Sequence, residues 1–191
     1  MKVLIIDNYD SFTYNIYQTV GVITGNEPLV YLNDQITIKQ VKEINPDRII
    51  ISSGIGSPLK EENCGNCVAI VKEFYNKIPI LGISIGNLII ANTFKCKIVF
   101  SPNVQHGELI SVNLNKVALF DSLPDKMTAM AYYTYIIDNN NLPNNIDIIA
   151  ETDTKTIMGF KVKNYPVYGL QFNPESIGTH NGSLIFKNFL N

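Results

Sequence analysis

The sequence is poor in the residues that build disulfide frameworks, metal sites and basic surfaces. Its 191 residues include three cysteines, two histidines and no tryptophan, and 15 basic residues stand against 17 acidic ones. An odd, low cysteine count favours reduced thiols. The basic residues form no stripe along which a nucleic acid could lie, and no apolar run reaches the roughly 18 residues that a membrane span needs. We therefore expect no nucleic-acid partner and no membrane span.

The composition is that of one globular unit. Hydrophobic residues make up 46% of the chain, so 191 residues can bury one core of ordinary size. We find no internal repeat, linker or low-complexity segment, and we expect a single domain over residues 1–191. The first residues indicate a strand rather than a signal peptide. We therefore expect a cytoplasmic protein, or one of the plastid stroma if it is organelle-encoded, since the Asn-, Ile- and Lys-rich composition is typical of an AT-rich genome.

Two of the three cysteines, Cys64 and Cys67, have the C-x-x-C spacing of redox-active and zinc-binding pairs. They stand at a predicted helix start, where a thiolate would be favoured. A closed zinc site needs four ligands, and only Cys96, His106 and His180 could complete one. The simplest interpretation is that one cysteine lies near a helix cap while the other packs inward. We expect no metal site, and no fingerprint of a cofactor site is present.

The first hundred residues alternate between short apolar runs and amphipathic stretches. Such alternation is typical of a parallel sheet with helices on both faces. We expect Asp10 or Ser11 to cap the first helix, which carries Phe12 on its apolar face and ends at Gly25. The predicted strands lie at 3–6, 29–32, 48–51 and 79–83. The further predicted helices lie at 36–44, 68–77 and 85–94.

The second half of the chain lacks this alternation. Turn signals such as Asn139-Asn140-Asn141 separate a series of short runs with strand character. A closing helix is predicted at 182–190. The predicted strands lie at 97–100, 109–112, 127–131, 146–150, 157–162 and 167–172. We therefore predict an α/β fold with an open, mostly parallel sheet flanked by helices, extended by mixed or antiparallel strands in the second half.

Two glycine-rich loops follow the third and fourth predicted strands, at the edge where open parallel sheets bind their ligands. The first is Gly54-Ile55-Gly56, whose glycines let the backbone approach a ligand, although a plain turn would explain them equally well. The second, Gly82-Ile83-Ser84-Ile85-Gly86, has the spacing of a nucleophile elbow. Such an elbow would point the Ser84 side chain into the cleft, near backbone N–H groups that can hold an oxyanion.

Six segments, in order along nearly the whole chain, resemble the glutaminase subunit of anthranilate synthase and aminodeoxychorismate synthase, which are class I glutamine amidotransferases. The opening 6–15, I-D-N-Y-D-S-F-T-Y-N, is long and specific. The others are 52–58 (family S-P-G-P-G-x-P), 79–86 (P-I-L-G-V-C-L-G), 106–107 (H-G), 132–135 (Y-H-S-L) and 168–177 (Y-G-V-Q-F-H-P-E-S-I). The resemblance implies the flavodoxin-like fold of that family, glutamine as the ancestral substrate, and a chorismate-binding partner, component I of anthranilate synthase or aminodeoxychorismate synthase.

The resemblance also assigns roles to individual positions. In that family a cysteine thiolate attacks the side-chain amide of glutamine, a histidine exchanges the proton and a glutamate orients the histidine. These three positions fall on Ser84, Asn173 and Glu175, so only the glutamate is kept. The glutamine-binding and oxyanion positions would be Gly54, Ile55, Gly56, Ile85, Leu88, Thr134 and Tyr135. Leu88 stands where the family has a glutamine that contacts the substrate, and Asn87 stands where it has a histidine.

These departures predict a glutaminase-like subunit that has lost glutaminase activity. A serine hydroxyl is far less acidic than a thiol and needs a general base, and an asparagine cannot accept a proton usefully at neutral pH. Losing one triad member typically lowers the rate by about 10⁴-fold or more. Neither His106 nor His180 falls where the base belongs, and we expect both in loops or at the surface. Such a protein would still dock on a chorismate-using partner and leave that partner to use free ammonia.

Four alternatives remain open on the sequence. Some amidotransferase activity could survive within the complex, or Ser84 could serve a serine hydrolase, or the role could be a binding function unrelated to chorismate. The partner could also belong to the folate branch rather than the tryptophan branch. We prefer the tryptophan branch, because the opening motif and the length resemble stand-alone second components.

Overall fold

The computed structural model describes every residue from Met1 to Asn191, and its nine strands form one sheet in the order β2-β1-β3-β4-β9-β8-β7-β5-β6. The strands are β1 (Val3–Asn8), β2 (Leu29–Leu32), β3 (Arg48–Gly54), β4 (Ile80–Ile83), β5 (Ile98–Leu114), β6 (Lys126–Ile137), β7 (Ile146–Glu151), β8 (Ile157–Val162) and β9 (Val167–Leu170). The helices are α1 (Thr13–Thr24), α2 (Ile38–Ile44), α3 (Glu61–Cys64), α4 (Cys67–Phe74), α5 (Ile85–Thr93) and α6 (Gly182–Leu190). None of these helices is both long and apolar enough to cross a membrane.

The parallel half of the sheet comprises β2, β1, β3, β4 and β9, and helices cover both of its faces. Successive side chains of a strand point to opposite faces, so Leu4 and Ile6 of β1 pack into one core with α2, α4 and α5. Val3 and Ile5 pack into a second core with α1 and α6. Burial on both faces explains why these strands are continuous apolar runs. The predicted α/β class with a mostly parallel sheet is confirmed.

The antiparallel extension is longer than its sequence pattern indicates. The runs predicted at 97–100 and 109–112 are one 17-residue strand, β5, and β6 continues to Ile137 instead of ending at 131. Pro102 and Gly107 lie between the two predicted runs, and the β5–β6 pairing accommodates them at two register shifts. Bulges of this kind tolerate a proline or a glycine with positive φ, and Gly107 has φ +76°.

The start of α1 differs from the prediction. The N-cap position is Phe12, which caps nothing with its side chain and is exposed, so neither Asp10 nor Ser11 caps the helix. The Asp7 carboxylate ties the end of β1 to the start of α1, since it accepts hydrogen bonds from the Thr13 hydroxyl at 2.7 Å and from the Asp10 amide at 3.0 Å. The Asp10 side chain is thereby free to face the sheet edge. The predicted end at Gly25 is confirmed, with φ +67°.

The three cysteines are free thiols buried in the core. Cys64 ends α3 and Cys67 begins α4, and burial raises the pKa of both thiols. Burial also raises the pKa of Cys96, to about 11. No group of three or more His, Cys, Asp or Glu side chains that could hold a metal ion is present. Both cysteines of the C-x-x-C pair pack inward, which favours the packing interpretation over thiolate chemistry or zinc binding there.

A complete capping box begins α2. The Thr37 hydroxyl accepts a hydrogen bond from the Gln40 amide at 3.2 Å, and the Gln40 side chain accepts one from the Thr37 amide at 2.9 Å. Replacing Thr37 with alanine leaves these end groups without their side-chain partner. We expect Thr37→Ala to lower the free energy of unfolding by about 1 kcal/mol, measured by urea denaturation. Thr37→Ser is the control and should retain most of the stability, and equal losses in both variants would contradict the capping role.

Candidate functional site

A cavity of about 520 Å³ opens at the carboxyl ends of β3 and β4, where β6 closes its far side. Nine predicted site residues line it. They are Gly54, Ile55, Gly56, Ser84, Ile85, Leu88, Thr134, Tyr135 and Asn173. Glu175 lies behind the wall and contacts Asn173. The fold thus brings together ten positions that are spread over more than 120 residues of sequence.

The predicted elbow is present between β4 and α5, with Ser84 at its tip. Ser84 has φ +53° and ψ −109°, a backbone conformation that L-residues rarely adopt. Its amide donates to the carbonyl of Leu170 at 2.7 Å, which fixes the turn to β9. A Cβ atom on Gly82 would lie 2.5 Å from the carbonyl oxygen of Gly86, so the two flanking glycines let the turn close.

The Ser84 hydroxyl has no base beside it. It is 3.3 Å from the backbone carbonyl of Tyr132 on β6, to which it donates. A carbonyl oxygen accepts this hydrogen bond but cannot remove the proton, because it is not basic at neutral pH. The serine at the tip of the elbow is therefore held in its neutral, weakly nucleophilic form.

Asn173 is fixed in the cavity wall by its backbone and its side chain together. Its amide donates to the carbonyl of Met130 at 2.9 Å, and its carbonyl accepts from the Thr179 hydroxyl at 2.6 Å. Its side-chain Nδ2 donates to Glu175 Oε1 at 2.6 Å. The carboxylate that would orient a histidine orients an amide instead, and an amide cannot shuttle a proton.

Glu175 belongs to a pair of carboxyls that share one hydroxyl group. Ser53 Oγ donates to Asp10 Oδ2 and lies 3.3 Å from Glu175 Oε1. Burial is the largest cause that raises the pKa of Glu175, from an ordinary 4.5 to about 7, and the neighbouring Asp10 adds to it. Burial also raises the pKa of Asp10. Neither carboxyl takes part in an ion pair.

The raised pKa of Glu175 predicts a pH dependence of stability. A group whose folded pKa lies above its unfolded pKa stabilises the fold below the unfolded value, and this contribution is lost as pH rises through the folded value. The window here runs from about pH 4.5 to about pH 7. Between pH 4.5 and pH 8 the free energy of unfolding should fall by roughly 3 kcal/mol more in the wild type than in Glu175→Gln. The glutamine keeps the acceptor for Asn173 and cannot ionise. Urea midpoints across this range test it, and parallel curves for the two proteins would contradict it.

The glycine loop after β3 is shaped by close contacts beneath it. A Cβ atom on Gly54 would lie 2.5 Å from the Cβ of Asn8, and Gly56 has φ +95°. The side chain of Asn63 accepts a hydrogen bond from the Ser57 amide at 2.9 Å and holds the far end of the loop. The side chain of Ile55 is 73% exposed, so this residue contributes mainly backbone to the cavity.

Leu88 and Asn87 of α5 offer the cavity little polarity. Leu88 is buried in α5 and presents no polar atom to the cavity. The Asn87 side chain turns away and donates to Gln171 Oε1 at 2.9 Å. Tyr135, on the opposite wall, packs its ring against Phe100 with 4.5 Å between centroids. This part of the cavity wall is therefore mainly apolar.

Sequence reasoning missed part of the wall. His106 is exposed, as expected, but it lies on β5 and lines the cavity, with its ring 5.6 Å from the ring of Tyr132. Asp10 and Ser53 also line it, and the sequence assigned neither of them to the site. Their presence in the opening and glycine-loop motifs was the available signal. His180 is exposed and lies outside the cavity wall.

Comparisons with known proteins agree with the fold and the motifs. The family model for glutamine amidotransferase class-I matches residues 4–191. Anthranilate synthase component 2 of Saccharolobus solfataricus is 42% identical over 191 residues, covering 98% of this chain and 97% of that protein. The bifunctional protein TrpGD of Thermotoga maritima is 39% identical over 191 residues. The match covers 100% of this chain but only 32% of the length of that protein. The crystal structure of a candidate GMP synthase subunit from Thermoplasma acidophilum superposes with a TM-score of 0.86 at 26% identity, covering 100% of this chain and 92% of that one.

Proposed function

Because the chain belongs to the glutamine amidotransferase class-I family, we propose that it is the second subunit of an anthranilate synthase and that its own glutaminase activity is lost. The relative in Saccharolobus solfataricus, named anthranilate synthase component 2 and covered almost end to end, supports the subunit role. One observation carries the loss of activity. The hydroxyl of Ser84 donates to a backbone carbonyl, and the amide of Asn173 occupies the place beside Glu175 where a base would be needed.

The magnitude of the expected loss follows from the chemistry. Amide hydrolysis at this site would need an activated nucleophile, a base that returns the proton to the leaving ammonia, and an oxyanion site. The elbow keeps Ile85 at the first position of α5, where backbone N–H groups lack helical partners, so an oxyanion site can persist. The first two requirements are unmet together. Removing even one such group typically lowers the rate by about 10⁴-fold.

The remaining role is to dock on and support a chorismate-using partner, which would then use free ammonia. Exposed apolar side chains around the cavity support such an interface, since contiguous apolar surface marks protein contacts. Phe12 and Ile55 are exposed on the cavity wall itself. Leu59 is exposed and follows the lining residue Pro58, and Phe100 is exposed and packs against the lining residue Tyr135. As further parts of the proposal, the chain forms one domain over residues 1–191, its partner belongs to the tryptophan branch, and it works in the cytoplasm, or in the plastid stroma if organelle-encoded.

The experiment reconstitutes the chain with its chorismate-binding partner. Anthranilate formation is measured with glutamine and with ammonium as nitrogen source, each with and without this chain. We expect product from ammonium only, with a rate or a thermal stability of the partner that rises when the chain is added. Product from glutamine that requires this chain would overturn the proposed loss of activity, and failure of the two proteins to associate would overturn the proposed role.

A further inference from the structure

The charge lining the cavity has one sign. None of its 18 lining residues is a lysine or an arginine, and the only basic side chain is His106 at the exposed end of the wall. Asp10 contributes a carboxyl to the wall, and Glu175 lies directly behind Asn173. Neither carboxyl forms an ion pair with a basic side chain. A buried carboxylate without a positive partner is costly, and burial accordingly raises the pKa of both.

The single hydroxyl between the carboxyls cannot satisfy both of them. A serine carries one O–H hydrogen, and Ser53 gives it to Asp10 Oδ2 while Glu175 Oε1 lies 3.3 Å away. Glu175 Oε1 receives its own hydrogen bond from Asn173, but Glu175 Oε2 is buried and has no partner among the groups of the protein. Glu175 Oε2 is therefore the one buried carboxyl oxygen of this cluster that lacks a donor.

Asn173 has an acceptor without a donor of its own, independently of the carboxyls. It is 3% exposed and lines the cavity. Its Nδ2 is used by Glu175, while its Oδ1 is buried without a partner. Buried side-chain acceptors normally find a donor. The Asn87–Gln171 pair has one unpartnered donor, Gln171 Nε2, and one unpartnered acceptor, Asn87 Oδ1. Asn173 has an unpartnered acceptor and no unpartnered donor.

We propose that this end of the cavity binds a primary ammonium group, either the free ammonium ion or the head of an alkylammonium. Such a group carries one positive charge and several N–H donors on a single atom. At the cavity wall it would donate to Asn173 Oδ1, and its single charge would offset one of the two carboxylates, Asp10 and Glu175. A water molecule supplies no charge, and a potassium ion supplies no hydrogen bond. The inference deepens the proposed function and rests on it for its meaning, since free ammonium is the nitrogen source that the partner would use.

The test uses the isolated full-length chain without glutamine, at constant ionic strength. Thermal midpoints are recorded in ammonium, methylammonium, tetramethylammonium and potassium chlorides, and bound ¹⁵N-ammonium is sought by NMR as a signal protected from exchange. We expect ammonium, methylammonium or both to raise the midpoint, and potassium and tetramethylammonium, which have no N–H donors, to leave it unchanged. A response to ammonium alone identifies the free ion as the ligand, and a response to methylammonium, alone or as well, admits an alkylammonium head.

Three substitutions locate the site. Asp10→Asn and Asn173→Leu should each weaken the apparent affinity about tenfold or more, while Asn173→Asp, which adds a carboxylate, should strengthen it. Asn92→Leu, on the exposed face of α5, is the matched control and should bind as the wild type does. An equal response to potassium, no response to any primary ammonium, or an affinity untouched by these substitutions would overturn the inference. None of these results would alter the case at Ser84, because glutamine hydrolysis plays no part in the measurement.

Discussion

Replacing Ser84 with cysteine and Asn173 with histidine together is expected to raise glutamine hydrolysis in the reconstituted complex by about a thousandfold or more over the wild type. The elbow already holds residue 84 at the tip of the turn, with φ +53°. Glu175 already accepts a hydrogen bond from the side chain at 173, so it can orient an imidazole there. A cysteine beside a histidine forms a thiolate readily. Glutamate release, measured with the partner present, gives the rate.

The single variants and a third substitution make this prediction sharper. Ser84→Cys alone and Asn173→His alone should each stay close to the wild type, because the members of a triad act as a unit. Adding Leu88→Gln to the double variant should lower KM for glutamine, since it returns a polar contact to the wall. A double variant that stays inert with a competent partner would show that the cavity has changed beyond these positions.

Replacing Gly86 with alanine is expected to destabilise the protein by roughly 3 kcal/mol, or to prevent folding. Gly86 lies in the first turn of α5, and a Cβ there would overlap the carbonyl oxygen of Ile51 and lie 2.9 Å from that of Ser52. Both atoms are backbone of β3 and cannot move without shifting a central strand. Because the loop after β3 lines the same cavity, the expected effect reaches the site as well as the fold.

Gly21→Ala is the matched control, since it makes the same exchange inside another helix, α1. A Cβ at Gly21 would come no closer than 3.8 Å to any neighbour, and alanine is the better helix former by up to about 1 kcal/mol. We expect Gly21→Ala to stabilise and Gly86→Ala to destabilise in the same urea titration. Effects of equal sign would show that close helix–strand contact does not explain Gly86.

The parallel half of the fold could be predicted because its signal is local. The buried strands are apolar runs, and α1 ends at Gly25 as its pattern indicates. The long β5–β6 pairing could not be predicted. A strand that contains Pro102 and Gly107 at bulges has the same sequence pattern as two short strands. Phe12 shows a further limit. Its spacing matches the apolar face of α1, yet it precedes the helix and lies beside Tyr132 at the cavity, 6.1 Å between ring centroids.

Site residues could be predicted where they belong to a local motif. They could not be predicted where only the tertiary structure brings them together. The elbow and the glycine loop have their own spacing, so Ser84 and Gly54 could be placed from sequence. The link from Asp10 through Ser53 to Glu175 joins residues 43 and 122 positions apart, and no local pattern predicts that they meet. The orientation of Asn173, with its donor used and its acceptor without a partner, likewise follows only from the packed structure.

The measurement that tests the central claim most directly is glutamate release from glutamine by the reconstituted complex, compared between the wild type and Ser84→Ala. If the Ser84 hydroxyl has no base, removing it changes nothing, and both complexes should release glutamate at the same background rate. A wild-type rate clearly above that of Ser84→Ala would contradict the account, because it would show that Ser84 attacks the amide and that the complex supplies a base which this chain lacks.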